Sequence, residues 1–282
     1  MNAPLHYAFR LRNLASTVLL LALLIGASAA LTWWVLGSTT ALWIALGLTV
    51  GALFWGNAPT GWLLRARNAR PVDPRRPGGL LAIRDELSRR AGLEQPPALY
   101  WIPSGRMEAM TVGHGRDAAV LVSLGMLRAL SPRELAGVLA HEISHLRNHD
   151  LTVLALARGV GRFGRFVARL ALFVAVLAVP GLVFSGQPVP WLGLAVLVLV
   201  PRLLVGLELA ISRAREFDAD ASAVELTGDP GALASALARV EAIERRAAAW
   251  ARLVAPVTEV PPWLRSHPAT EERIARLTAL RA

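Results

Sequence analysis

The chain has 282 residues, 54% of them hydrophobic and only 18% charged, with a mean hydropathy of +0.46, an apolar share beyond that of an ordinary soluble domain and suited to a membrane protein. Its net charge of +10 comes entirely from arginine, since no lysine occurs, and it has no cysteine, so disulfides and thiolate metal sites are excluded and any metal must be held by His, Asp or Glu. A pI near 11.5 does not mark a nucleic-acid binder here, because the arginines crowd the flanks of apolar segments and the nine tryptophans lie mostly in or beside those segments, where interfacial anchoring accounts for them.

Two long apolar runs open the chain, Leu14 to Leu36 and Ala41 to Trp55, joined by the uncharged GSTT, and residues 1–56 read as a transmembrane helical hairpin. Arg10 and Arg12 precede it while Arg65, Arg67, Arg70, Arg75 and Arg76 follow, which places both flanks in the cytoplasm. A cleaved signal peptide does not suit a first run of this length with a second directly behind it.

Residues 57–165 read as the first part of a catalytic domain. Within it MEAMTVG, residues 107–113, is an apolar strand, and LSPRELAGVLAHEISHLRN carries a capping box at Ser131, Pro132 and Glu134, with Leu130 and Leu135 placed as a hydrophobic staple. A helix is predicted from Pro132 to Asn148. On it His141 and His145 stand one turn apart, ~40° around the axis, so both imidazoles can reach one ion. Glu142 lies beside the pair, where it can contact a water on the metal without being a ligand, as a general base must. The plain alternative is a helix with two incidental histidines. His149 continues the same face one turn on, but a third ligand from one helix would crowd the ion, so His149 is read as supporting or solvent-facing.

A second apolar pair, Phe166 to Phe184 and Trp191 to Ile211, is divided by SGQPVP and forms a second hairpin over residues 166–211. Arg158, Arg162, Arg165 and Arg169 stand before it or in its first turn and Arg213 and Arg215 after it, again with the charge inward. Pro180 and Gly181 interrupt one run, and Pro201, Arg202 and Glu208 the other, so shallow insertion stays open. Residues 212–282 complete the catalytic domain. There SRAREFDADASAVEL sets Glu216 and Asp220 four apart on a helix, Glu216 as a candidate third ligand and Asp220 as an acceptor for an imidazole N–H, against the reading of a solvated acidic face paired with Arg213 and Arg215.

HEISHLRNHD, REFDAD, SHPATEERIARL and the two apolar pairs together resemble the membrane zinc metallopeptidases that include HtpX and the CAAX prenyl proteases, over nearly the whole chain and with an order of apolar pairs closer to HtpX. The resemblance implies a mainly α membrane protein whose transmembrane helices carry a cytoplasmic zincin-like (gluzincin) metallopeptidase domain with a small β-sheet. It implies one Zn2+ per chain on His141, His145 and Glu216, with Glu142 as base, Asp220 supporting the ligands, and His267 or Arg273 as a donor to the oxyanion. It sets the MEAMTVG strand against the substrate, with Met110 and Thr111 as substrate-binding residues; Glu108 stands where the family usually has the asparagine of an Asn-Ala-Phe-Ala type strand.

The expected function is a multi-pass endopeptidase of the cell membrane that hydrolyses peptide bonds in misfolded membrane proteins, its active site facing the cytoplasm, with the lipid bilayer but no nucleic acid as a partner. A zinc-binding membrane protein without proteolysis would have no use for Glu142. A transporter would set ionisable residues inside the spans, where only Arg202 and Glu208 qualify.

Overall fold

The computed structural model describes residues 3–36, 59–73, 79–254 and 268–280; the second apolar run of the first hairpin and His267 lie outside the described residues. The described elements pack as two units.

The first unit is built on a four-stranded sheet in the order β1 (Arg70–Pro71), β2 (Ala98–Ile102), β4 (Ala119–Ser123), β3 (Ala109–Val112). β1 is antiparallel to β2, β2 parallel to β4, and β3 antiparallel to β4 with Thr111 opposite Val120. The central strand β4, AVLVS, is buried throughout, as a strand covered on both faces must be. Among the described residues β3 is an edge strand.

Alternation divides the side chains of the sheet between two cores. Leu99, Val120 and Val122 join Leu135, Val138 and Leu139 of helix α5 (Pro132–Arg147) and Leu87 of α3 (Leu80–Ala91). Ile102, Val112 and Leu121 form a separate cluster with Met110 and with Leu63 and Leu64 of α2 (Thr60–Ala66). α4 (Leu124–Ala129), α8 (Pro230–Val254) and α9 (Thr270–Ala279) complete the unit. At Gly137 a Cβ would stand 2.7 Å from the Leu233 nitrogen, so the approach of α5 to α8 requires glycine.

α5 starts where its sequence dictates. The Ser131 hydroxyl accepts the Glu134 N–H, and the Glu134 carboxylate accepts the Ser131 N–H at 2.8 Å. Leu130 and Leu135 are both buried in the same core. The helix stops at Arg147 with Asn148 as its C-cap, one residue short of expectation, and His149 follows at φ 55. A left-handed residue just past the cap is the usual way to end a helix. His149 is therefore solvent-facing, one of the two readings given for it, but it lies off the helix and does not continue the histidine face.

The second unit contains α1 (Ala3–Leu36) from Leu14, α6 (Asp150–Phe184) from Thr152, and α7 (Trp191–Thr227) as far as Ala214. Leu24, Ala157, Leu204 and Ile211 make one buried cluster, and Leu31, Ala168 and Leu197 another. Gly164 admits Ser28 and Leu204, whose side chains would lie 2.9 and 2.6 Å from a Cβ there. Each of the three helices is long and apolar enough to cross a membrane. Arg165 pairs with Glu208 across α6 and α7, and the Arg202 guanidinium donates to the Val198 carbonyl, so these ionisable groups are satisfied locally.

α6 runs through Pro180 and α7 through Pro201 without a break, because one lost backbone bond is outweighed by the long apolar helices around each proline. Both helices also extend beyond the apolar runs. The change of unit falls at Leu151 and Ala214, while the sequence reading divides the chain at 165 and 211.

Candidate metal centre

Four elements of the first unit supply the site: α5, the first turn of α6, the last third of α7, and α9. One turn of helix sets His141 and His145 side by side, their rings edge to face with centroids 4.7 Å apart and their Nε2 atoms 3.2 Å apart. Glu216 enters from α7 with carboxylate oxygens 3.4 Å from His141 Nε2 and 3.9 Å from His145 Nε2. One donor atom from each of the three lies within 4.8 Å of the others. Two ligands held ~2.0–2.1 Å from one tetrahedral ion stand ~3.3 Å apart, so this spacing fits a zinc ion with three protein ligands and one open position.

The outer nitrogens fix the tautomers. His141 Nδ1 is 3.0 Å from Asp220, and His145 Nδ1 is 2.7 Å from Asp150. In the neutral rings, a proton on each Nδ1 donates to its carboxylate and leaves the Nε2 lone pairs turned toward the shared position. An arginine stands behind each carboxylate. Arg273 of α9 donates twice to Asp220, at 2.6 and 2.8 Å, and lies 3.5 Å from Glu216. Arg215 pairs with Asp150, and with Asp218 at 2.9 Å. The two His–Asp–Arg chains are alike in order and differ in which helices supply them.

The electrostatics follow from these contacts. Burial alone would push the His141 pKa down, but hydrogen bonds to Asp220 and Glu216 outweigh it and raise the imidazole to about 10 in the metal-free protein. Burial would likewise raise Asp220; the Arg273 guanidinium outweighs it and holds that carboxyl below the usual range.

Glu142 is buried beside the histidines, and the Thr111 hydroxyl lies 2.7 Å from its Oε2 and 3.0 Å from its carbonyl oxygen. Thr111 thus meets Glu142 from the edge strand β3. Met110 points to the opposite face of the sheet, into the cluster of Leu63 and Leu64. Glu108 shares that far face by alternation and pairs with Arg67 at 3.2 Å, while its backbone bonds Ser123. The departure from the family pattern is turned away from Glu142.

Sequence reasoning missed Asp150, Arg215 and the bond from Thr111. Asp150 was hidden by the reading of His149 as a continuation of the histidine face; an aspartate directly after an Asn-His stop was the available signal. Arg273, expected as an oxyanion donor, has its guanidinium engaged with Asp220.

Membrane-length helices and this donor set define a class, the membrane metallopeptidases. Comparison with known proteins agrees: residues 74–281 match peptidase family M48, and the chain belongs to that family. It is 37% identical to a protease HtpX homolog of Acaryochloris marina over 277 residues, covering 93% of this chain and 91% of the relative. It is 34% identical to a protease HtpX homolog of Burkholderia mallei over 255 residues, 86% of each chain. The crystal structure of S. mikatae Ste24p superposes with a TM-score of 0.52 at 17% identity over 96% of this chain and 66% of that one, a likeness of fold.

Proposed function

We propose that the chain is a zinc-dependent endopeptidase of the cell membrane, with one Zn2+ held by His141, His145 and Glu216. The observation that carries this reading is the convergence of those three donors with Glu142 beside them. Zinc bound there would supply Lewis acidity for the scissile carbonyl and the attacking water. Glu142 is placed to accept a proton from the attacking water and to return it to the leaving amine. Thr111 steadies the Glu142 carboxylate. Asp220 and Asp150 orient the two imidazoles. Among the described residues β3 pairs on one side only, and its outer edge, which carries the main-chain groups of Thr111 beside Met110, is proposed to hold an extended peptide. His267 is proposed as a further donor to the oxyanion, on the resemblance of SHPATEERI to the family motif.

Substrates are proposed to be misfolded or damaged membrane proteins, since the motif helix leads almost directly into one apolar span and Glu216 follows directly from another. Arginine placement supports a multi-pass topology with the catalytic residues, 57–165 and 212–282, in the cytoplasm and residues 1–56 and 166–211 in the membrane. Against the reading of zinc binding without hydrolysis stands a buried carboxylate beside the ligands, held by Thr111, for which such a protein has no use. Metal analysis of the purified protein, paired with cleavage of an unfolded membrane protein, tests the proposal. One zinc per chain and chelator-sensitive cleavage are expected; metal-free protein that cleaves at the same rate would refute it.

A further inference from the structure

Arg158, Arg162, Arg165 and Arg169 follow one another on α6 at spacings of four, three and four. At ~100° per residue they fall within about 60° of arc, a single row. Glu208 pairs with Arg165. Arg158 donates to the Leu154 carbonyl, and Glu208 also feels the charges of Arg162 and Arg158, but one carboxylate faces four guanidiniums, and Arg158, Arg162 and Arg169 are exposed. The row therefore presents a strong positive charge on a helix of membrane-spanning length.

The same face changes character after Arg169. Phe173 and Val176 continue the row and Leu177 borders it, 63%, 58% and 65% exposed. Arg169 stands about 15 residues before the helix end at Phe184, or ~22 Å at 1.5 Å per residue, less than the ~30 Å of a bilayer hydrocarbon core. The lower guanidiniums are thus drawn to the level of the lipid phosphates, where long stems let them reach water and headgroups. A guanidinium fork matches two phosphate oxygens, and the bordering apolar row suits acyl chains rather than a soluble anion.

We infer that this face of α6 is a docking surface for an anionic phospholipid, whose headgroup phosphate sits between Arg162 and Arg169, with the charge of Arg158 one turn beyond, and whose acyl chains lie along Phe173, Val176 and Leu177. Excess positive charge in the row disfavours a zwitterionic headgroup with its own cation.

The test is to incubate the full-length protein with equal amounts of phosphatidylglycerol and phosphatidylcholine and to count retained lipids by native mass spectrometry. Wild type should retain phosphatidylglycerol preferentially. Each of R158Q, R162Q and R169Q should lower that preference by about fivefold, and the triple variant should abolish it. The charge-matched variant R89Q/R90Q/R116Q, altered at exposed positions of the first unit, should keep it. Equal retention of the two lipids by wild type, a preference surviving in the triple variant, or its equal loss in the charge-matched variant would overturn the inference. Displacement of the lipid by inorganic phosphate would mark a soluble-anion site instead and overturn it as well. Should the triple variant fail to fold, the single variants decide: three unchanged preferences would refute the proposal.

Discussion

Asp150 lies five residues after His145, and its carboxylate stands 2.7 Å from that histidine's Nδ1. The left-handed turn at His149 makes this return possible, and Arg215 holds the carboxylate from behind. Asp150→Asn keeps the shape but loses the charge that fixes the tautomer and orientation of the ring. It should weaken zinc binding by roughly 10 to 100-fold, read by competition with a chromophoric chelator. Unchanged zinc affinity would show that the contact with His145 has no bearing on the metal.

The pH dependence of metal binding follows from His141. Its pKa in the folded, metal-free chain is raised to about 10 from an ordinary 6.5, so its stabilising contribution is full below about 6.5 and is lost as pH rises through about 10. Zinc requires the neutral ring and must displace this proton. Apparent zinc affinity should therefore strengthen by up to tenfold per pH unit between about pH 7 and 9. Zinc titrations at several pH values, with proton release followed in weak buffer, check the sign; affinity independent of pH over this range would contradict it.

Thr111 reaches Glu142 from the strand proposed to hold substrate. Thr111→Val keeps the volume of the side chain and removes the hydroxyl. It should lower kcat by about tenfold with little change in KM, while Thr111→Ser restores most of the rate. Steady-state kinetics on a peptide substrate, with zinc content measured in parallel, separates this from loss of metal. An equal rate in the valine variant would show that the hydroxyl does not position Glu142.

Much of this was legible in the sequence because the relevant rules are local. The capping box at Ser131 and Glu134 set the start of α5, and the one-turn spacing of His141 and His145 put both rings on one face. The four-residue spacing of Glu216 and Asp220 worked in the same way on α7. What stayed hidden depends on chain reversal and tertiary pairing. Nothing local announces that Arg273 clamps Asp220 from 53 residues away or that Arg215 serves Asp150 across 65 residues. The prolines misled in the other direction, since Pro180 and Pro201 read as interruptions and lie within continuous helices.

The most direct test of the hydrolase reading is Glu142→Gln, measured for zinc and for cleavage in the same preparation. Glutamine preserves the size of the side chain and removes the base, so the variant should retain about one zinc per chain and lose at least 10²-fold in peptidase rate. Retained zinc together with cleavage near the wild-type rate would contradict the assignment of Glu142 as the general base.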